Sequence, residues 1–448
     1  MKIRLLILLI IISINNIGKA QNNLTIYNMK SIPQSNQTNP AVIPDCKLYI
    51  GMPVLSSIYV GLSNSGFAYN DLVRRRSDDS LYIDMDNAIS KMKSKNNYLS
   101  FDFSTELFSL GFKIKSNYLT FGENERVTAN FNYPSDIVSF FWKGNKQFIG
   151  TTASFDGISV NASYYKEFYA GYAREINDKL TVGAKAKLLF GKLNLYTSKS
   201  SASIYTDPND FAITGKTDIV YNTSLIKDDD NVSKFLISPG NNVGMAIDLG
   251  GTYKLNDKFT FGASIIDLGF INWKNNVCNY NLNTNYTFEG IEYNLLTNKT
   301  DVNQLVDTLG KIFKSTQTEN SYKTMLPLKI FLSGTYTLMD KNIFGLLVRT
   351  EIVNSVIHPS ITASYNRKLN KLFSFSGSYS IVNNSYLNLG GGFSLNLGAN
   401  QLYLVTDNVL GVIIPQSEKT FNILFGMNLT FGRDNETKPK NVKSVELN

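Results

Sequence analysis

Residues 421–432, which read FNILFGMNLTFG, indicate the fold more clearly than any other stretch of the chain. Apolar side chains occupy every second position of this segment: Phe421, Ile423, Phe425, Met427, Leu429 and Phe431. The positions between them include Asn422, Gly426, Asn428 and Thr430. A period of two is the pattern of a β-strand with one apolar and one polar face. The segment therefore predicts a strand that lies between two different environments.

The same alternation recurs along most of the chain. In residues 179–190 the polar face carries Lys185 and Lys187. Two lysines facing a soluble core would be costly, but they cost little when they face a watery lumen. Residues 371–381 and 387–397 repeat the pattern with Ser and Asn. We therefore expect six side chains to face a lumen: Lys185, Lys187, Ser376, Ser378, Asn388 and Asn428.

Fourteen segments of this kind are predicted, and the connections between them alternate in length. The segments are 46–63, 98–115, 118–132, 158–174, 179–190, 243–254, 258–271, 327–338, 342–352, 357–367, 371–382, 385–396, 400–408 and 421–432. The short connections carry Asn, Asp and Gly, which are hairpin-turn residues. The long connections are 64–97, 133–157, 191–242 and 272–326. Short turns at one end and long loops at the other are typical of membrane β-barrels.

The predicted fold class is therefore all-β. We expect a transmembrane antiparallel barrel of about 14 strands (range 12–16) over residues 46–432, with short helices in the external loops. A bulge is expected near Glu106, within the segment 98–115. An array of soluble β-sandwiches, which also alternate, is the alternative.

Residues 1–20 have the layout of a secretory signal peptide. Lys2 and Arg4 precede an apolar run over residues 5–12, and Gly18 and Ala20 form a small-residue cleavage site. We expect cleavage after Ala20, and an uncleaved anchor is the alternative. The rest of the chain has no run of the roughly 18 apolar residues that a spanning helix needs. An exported barrel would then lie in the cell outer membrane, in contact with its lipid.

The segments on either side of the barrel are polar. Residues 21–45 contain three prolines and no clear strand, and we expect them to form a plug in the lumen. A disordered leader is the alternative. Residues 433–448 are expected to form a periplasmic tail, with a docking peptide as the alternative.

Two of the long loops have helical patterns. Asp301 precedes an apolar stripe with helical spacing: Val302, Leu305, Val306, Leu309, Ile312 and Phe313. Residues 134–142 begin with Pro134, Ser135 and Asp136, which resembles a helix start. We expect both helices to pack over the barrel rim. A lid or a partner-binding helix is the alternative.

The residues of the chain argue against an enzyme. The one histidine, His358, is expected at the rim as a surface residue, and no serine lies in a Gly-x-Ser-x-Gly setting. Cys46 and Cys278 are expected at opposite ends of the molecule, which argues against a disulfide and against a metal site of His and Cys. We therefore predict no catalytic residue, no metal and no cofactor.

Two other motifs have simple structural explanations. Asp228, Asp229 and Asp230 lie in a long loop, and an acidic turn is favoured over a calcium site because the spacing matches no ligand pattern. Residues 390–392 are three glycines inside a strand, which suits barrel curvature better than a phosphate loop. The net charge of +8 falls to +5 without the signal peptide and is scattered, so nucleic acid is not an expected partner.

Four stretches of the chain carry a resemblance to a known family. They are residues 32–44 (IPQSNQTNPAVIP), 242–273 (NVGMAIDLGGTYKLNDKFTFGASIIDLGFINW), 400–411 (NQLYLVTDNVLG) and 421–432. Together they resemble a Bacteroidota outer-membrane barrel family of unknown function, across almost the whole mature chain. The triplet Asn39-Pro40-Ala41 more distantly resembles FadL-like fatty-acid transporters and PorV-type barrels of the type IX secretion system. Those relatives imply fourteen strands and an N-terminal segment that enters the lumen.

Two hypotheses for function remain open. The first is uptake or binding of a small hydrophobic or amphiphilic molecule by a plugged barrel. The second is an accessory or scaffold subunit of an envelope or secretion complex, which would bind protein partners through the loops and the C-terminal tail. The sequence does not specify the ligand or the oligomeric state. An apolar cavity with a lateral opening would favour the first hypothesis, and a tightly packed lumen would favour the second.

Overall fold

A computed structural model describes residues 23–226, 232–288, 293–294, 299–300, 315–339, 341–353, 356–382 and 385–433. Within these ranges one antiparallel sheet closes into a barrel of fourteen strands, which confirms the predicted fold class. The first seven strands are β1 (Leu48–Gly51 and Ile58–Asn64), β2 (Asn97–Ile114), β3 (Asn117–Tyr133), β4 (Ser159–Glu175), β5 (Leu180–Thr206), β6 (Asn242–Lys254) and β7 (Phe259–Trp273). The other seven are β8 (Tyr322–Met325 and Leu328–Leu338), β9 (Asn342–Val353), β10 (Val356–Lys368), β11 (Phe373–Val382), β12 (Ser385–Leu397), β13 (Asn400–Thr406) and β14 (Thr420–Phe431).

The barrel is closed by the last strand, which pairs with the first. Leu48 lies opposite Phe431 and Ile58 lies opposite Phe425 in the β1–β14 register. On its other side β1 pairs with β2, and every following strand pairs with its neighbours in sequence order. Closure leaves no free edge along the ring, as a sheet surrounded by lipid requires.

The strands bury polar residues and expose apolar ones. In β11 the buried side chains include Ser374, Ser376, Ser378 and Ser380, whereas Tyr379 and Ile381 are exposed. This is the reverse of a soluble protein, because the inside of the barrel is the polar side. In the part of the chain described, no helix is long and apolar enough to cross a bilayer.

Two irregularities lie in the first two strands. β1 is interrupted between Gly51 and Ile58, whereas we predicted one strand over 46–63. Ser56 and Ser57, inside the interruption, are buried. β2 changes register against β3 between Glu106 and Phe108, which confirms the bulge predicted near Glu106.

The barrel wall extends further from the short turns at β5 than at the other strands, and β5 is longer than the strand predicted over 179–190. We expected the strand to end at residue 190, but it continues to Thr206. Ile213–Ser224 pairs with the upper part of β5, and Val277–Phe288 pairs with Ile213–Ser224. Thr316–Thr318 adds a short outer strand.

These four pieces, residues 192–206, 213–224, 277–288 and 316–318, are called the tall wall below. The predicted loops 191–242 and 272–326 therefore contain strands. The prediction was wrong because this region is rich in Ser, Thr and Asn on its polar face, which suggested loop.

The end of the barrel with the short turns is called the turn end, and the other is the loop end. The loop end carries short helices: α1 (Tyr69–Leu72), α2 (Met85–Lys91), α3 (Ser135–Lys143), α4 (Val232–Ile237) and α5 (Val409–Ile413). α3 is the helix predicted over 134–142. A hairpin of Val73–Arg75 and Leu81–Ile83 also lies there, and a short strand, Thr152–Ser154, pairs with the top of β5.

Several predictions fall on residues that the structure does not describe. The signal peptide at 1–20, the acidic run at 228–230, the helix after Asp301 and residues 434–448 of the tail all lie outside the described ranges. They stay predictions.

Candidate functional site

The inner wall of the barrel is in contact with residues 23–45, here called the N-terminal segment. It has two short 3-10 turns, Ile26–Asn28 and Pro33–Gln37. Ile26, Met29 and Ile32 are buried against wall residues in one apolar cluster: Tyr59, Tyr403, Val405 and Leu424. Leu24 and Tyr27 are buried in a second cluster with Ile266, Phe331, Leu347 and Val382.

Hydrogen bonds from many strands hold the segment. The Thr25 backbone N–H donates to Oδ1 of Asp407 at 2.7 Å, and Asp407 directly follows β13. Ser264 Oγ in β7 donates to the Thr38 carbonyl (2.6 Å), and Gln401 Nε2 in β13 donates to the Ser31 carbonyl (2.6 Å). Because the contacts come from distant strands, the segment joins opposite parts of the wall.

Glu106 accepts several of these bonds. Gln34 Nε2 donates to its carboxylate at 3.0 Å, and Gln37 Nε2 also donates to it. Ser56 Oγ donates at 2.6 Å and Ser109 Oγ at 3.1 Å. Glu106 is only 2% exposed, so these donors replace the water that a carboxylate would otherwise need.

The triplet Asn39-Pro40-Ala41 packs on two glycines of the wall. A Cβ at Gly250 would lie 2.1 Å from Asn39 Oδ1, and one at Gly183 would lie 2.5 Å from the Pro40 carbonyl carbon. Only glycine permits this approach. The Asn39 side chain also accepts a hydrogen bond from the Ala41 backbone N–H at 3.0 Å.

All six side chains expected in the lumen are buried in the structure. Lys185 Nζ donates to the Asn36 carbonyl (3.0 Å), Ser378 Oγ contacts Thr25 Oγ1 (2.8 Å) and Asn428 exchanges hydrogen bonds with Gln34. Asn388 donates to the Ser380 carbonyl within the wall. Ser376 is buried on the same face of β11. They are therefore spread over the wall and are not brought together in one site.

A network of charges crosses the lumen beside Lys187. Its Nζ lies 2.7 Å from Asp248 Oδ2 and 2.5 Å from Asp267 Oδ1, and Lys329 Nζ lies 2.7 Å from Asp267 Oδ2. Arg126 contacts Glu167 at 3.2 Å. Sequence reasoning found Lys187 but not its partners, because the acids lie on other strands. The register that puts Asp248 opposite Lys185 brings one of these acids to Lys187, and the sequence alone does not show that register.

Two of the described cavities border the N-terminal segment, and the larger, of about 220 Å³, lies at the turn end with Ser31 in its lining. A cavity of about 60 Å³ lies between the N-terminal segment and the charged wall, with Asp102, Arg126, Lys329 and Glu351 in its lining. Closer to the loop end, Trp273 packs with wall residues in a further apolar cluster: Tyr165, Leu189, Ala246, Ile271 and Leu326. The cavity of about 60 Å³ holds only a few water molecules. None of the described cavities is a continuous passage through the lumen.

The largest of the described cavities is on the outer face of the wall. It is an open apolar groove of about 960 Å³ that crosses β2 to β8. Its sides include Phe121, Phe168, Leu188, Met245, Leu268 and Phe270. Leu188 and Met245 are more than half exposed, which shows that they point away from the lumen. Here the outward-facing Ala170 and Ala186 lie opposite each other on β4 and β5 and leave space between larger side chains.

Irregular strand pairs lie around this outer groove. Register shifts occur at Glu106/Phe108 in β2–β3, Tyr164/Tyr165 in β4–β5 and Ile247/Leu249 in β6–β7. Asp267, in β7, has a positive φ of 63°. Bulges bend a strand locally, and three of them on alternate strand pairs, from β2 to β7, favour a concave wall here.

Charged residues also lie on the outer face, above one side of the outer groove. Lys166 Nζ lies 2.6 Å from Glu123 Oε1, and Lys192 Nζ lies 2.8 Å from Glu125 Oε1. Helix α4 covers them, since Lys192 Nζ donates to the Leu236 carbonyl at 2.9 Å. Sequence reasoning missed this cluster, because its charges come together only through the bulge at Tyr164 and through the connection from the tall wall to β6, which contains α4.

His358 is not where we expected it. It is 2% exposed and faces the lumen from β10, so the prediction of a surface residue at the rim is wrong. Its register partner is Glu351, whose strand turns the same face inward. Neither Cys46 nor Cys278 forms a disulfide, as the predicted separation requires.

The chain was compared with known proteins. The *Ralstonia pickettii* toluene transporter TbuX is 9% identical, with 90% of this chain and 93% of that chain covered and a TM-score of 0.44. A *Pseudomonas aeruginosa* FadL homologue is 10% identical, with 90% and 94% covered and a TM-score of 0.42. No curated protein sequence matches the chain. The Bacteroidota origin and the relation to PorV-type barrels stay predictions. A model of the family of unknown function DUF5723 matches residues 40–407, and the chain therefore belongs to that family.

Proposed function

We propose that this protein lies in the outer membrane, with its loop end outside the cell, and binds or takes up a small hydrophobic or amphiphilic molecule. The outer groove is the observation that carries the proposal. It offers about 960 Å³ of apolar space on the wall that faces lipid, whereas the two described cavities beside the N-terminal segment, of about 60 and 220 Å³, have charged residues in their linings. An apolar molecule dissolved in the bilayer reaches this surface without crossing water.

The N-terminal segment is proposed to act as a plug. Its hydrogen bonds with Glu106, Ser264 and Gln401 would have to break before a molecule could pass through the lumen. Each broken bond leaves a buried polar group without a partner, which favours the closed state. Uptake then requires a conformational change, and binding in the outer groove does not.

Photochemical labelling tests the groove. The protein in lipid nanodiscs is exposed to a long-chain alcohol that carries a diazirine, and labelled residues are mapped by mass spectrometry. We expect labels concentrated at groove residues such as Met245 and Phe270. Ala170→Phe with Ala186→Phe should remove them, because both side chains point into the groove.

Ala184→Phe is the matched control, because Ala184 alternates with Ala186 on the outer face of β5 but does not line the groove. It should leave the labels in place. Labels spread evenly around the barrel, or unchanged in the double variant, would exclude the groove as a binding site.

The tall wall favours the second hypothesis, an accessory subunit. It extends the sheet by a further hairpin above the loop end. Binding of a ligand in the lipid-facing groove does not require this extension, whereas binding of a protein partner could use it. Purification in mild detergent with identification of bound proteins and lipids compares the two. A stoichiometric protein partner that is lost when the tall wall is shortened would favour the accessory role, and a bound amphiphile alone would favour binding.

A further inference from the structure

Two lysines lie at the loop end of the outer groove. Lys323 in β8 is exposed, and its Nζ lies 4.3 Å from the centre of the Phe270 ring, which lines the groove. Its neighbour Met325, two positions along the same outward face, also lines the groove. The ammonium group of Lys323 is therefore at the edge of the apolar surface.

Lys274 is the second lysine. It directly follows β7 and is exposed. Asn272, two residues earlier on the same face, is the register partner of Lys323. By the alternation of β7, Lys274 shares the outward side with Asn272, because Trp273 between them is buried in the lumen. The two lysines are therefore diagonal neighbours on adjacent strands.

The charge at this end of the groove is positive. Within the described residues, no carboxylate forms an ion pair with Lys274 or Lys323. The acid in the groove, Glu123, is paired with Lys166 at 2.6 Å. Two exposed cations above an apolar groove complement a molecule that has an anionic head and an apolar tail.

The height of the lysines agrees with the level of lipid headgroups. Lys323 lies fifteen positions above Leu338, at the turn end of β8. At about 3.3 Å per residue and a tilt of about 40°, it is roughly 35–40 Å above the turns. The apolar band of such a barrel is only about 25 Å tall, so the lysines are beyond it, and the groove begins two residues closer to the turns, at Met325.

We infer that the outer groove binds a membrane lipid whose phosphate headgroup has a net negative charge, with the acyl chains against the apolar wall and the phosphate between Lys274 and Lys323. The inference rests on the proposed function, because it uses the same groove, and it narrows the ligand to an anionic lipid. Lysine side chains near a membrane surface attract anionic headgroups.

Native mass spectrometry of the whole mature protein in detergent tests the inference. Dioleoyl phosphatidylglycerol and dioleoyl phosphatidylcholine have the same tails, and only the first has a net negative charge. We expect the wild type to retain the anionic lipid on the order of tenfold better. Lys274→Gln with Lys323→Gln should reduce binding of the anionic lipid to the level of the zwitterionic one.

The control is Lys179→Gln with Lys258→Gln, two exposed lysines at the turn end, which should keep the preference. Unboiled migration on a gel checks that each variant is folded. Inorganic phosphate should not displace the lipid, since it has no tail, and displacement by phosphate alone would overturn the inference.

The outcomes separate the two proposals. Equal retention of both lipids by the wild type, or a preference that survives in the Lys274/Lys323 variant, would overturn the anionic-lipid inference and leave groove binding intact. Loss of both lipids in Ala170→Phe with Ala186→Phe supports the groove. No binding of either lipid, together with no photochemical label in the groove, would overturn both proposals.

Discussion

At the scale of single residues, the N-terminal segment packs closely against two glycines in the wall. Gly183 and Gly250 leave room for Pro40 and Asn39, and any side chain there would overlap them. Glu106 collects donors from the segment and from β1 and β2. Each of these contacts needs one residue type at one position, so a single substitution at Gly250 or Glu106 should break it.

Gly250→Val should displace the triplet Asn39-Pro40-Ala41. The new Cβ would lie 2.1 Å from Asn39 Oδ1, whereas in Gly251→Val the nearest atom is 3.9 Å away. We expect limited proteolysis to cut within residues 23–45 of the Gly250 variant and to spare the Gly251 variant. Equal resistance in the two variants would contradict the packing described here.

Glu106→Gln should destabilise the folded barrel by about 2 kcal/mol, because charge-assisted hydrogen bonds to a buried carboxylate are lost. Glu175→Gln is the control, since its ion pair with Lys113 is about 40% exposed on the glutamate side. Exposed pairs of this kind contribute less than about 1 kcal/mol. The measurement is the free energy of unfolding in urea, and a larger effect at Glu175 would contradict the role of Glu106.

At the scale of elements, alternation predicted the membrane strands well and the tall wall poorly. β11 and β14 have one strictly apolar face, because lipid requires it. Residues 213–224 and 277–288 also alternate, but nothing forces their outer face to be strongly apolar. The groove and the ion pairs of Lys187 depend on bulges and on registers between strands, and a single sequence does not reveal those.

The tall wall should be separable from the barrel. Closure of the ring does not depend on residues 199–220, because β5 pairs with β4 only as far as Tyr196 and with β6 only as far as Gly191. Removal of residues 199–220 should therefore leave the anomalous migration of the unboiled protein on a gel unchanged. A variant that migrates as unfolded without boiling would show that the barrel needs the tall wall.

At the scale of the whole molecule, the barrel has two different surfaces for two kinds of contact. Its inner face is polar and charged and is in contact with its own N-terminal segment. Its outer face is apolar and has a concave region wide enough for a lipid or another amphiphile. The proposed site is therefore on the outside of the wall, while the proposed plug is on the inside.

Electrical conductance across a planar lipid bilayer tests this arrangement most directly. The mature wild-type protein is compared with a variant that lacks residues 23–45. We predict that the wild type does not conduct, because the described cavities beside the segment have only about 60 and 220 Å³ of free space, and that the deletion variant forms an open, ion-conducting pore. Equal conductance in the two proteins would contradict a lumen closed by the N-terminal segment.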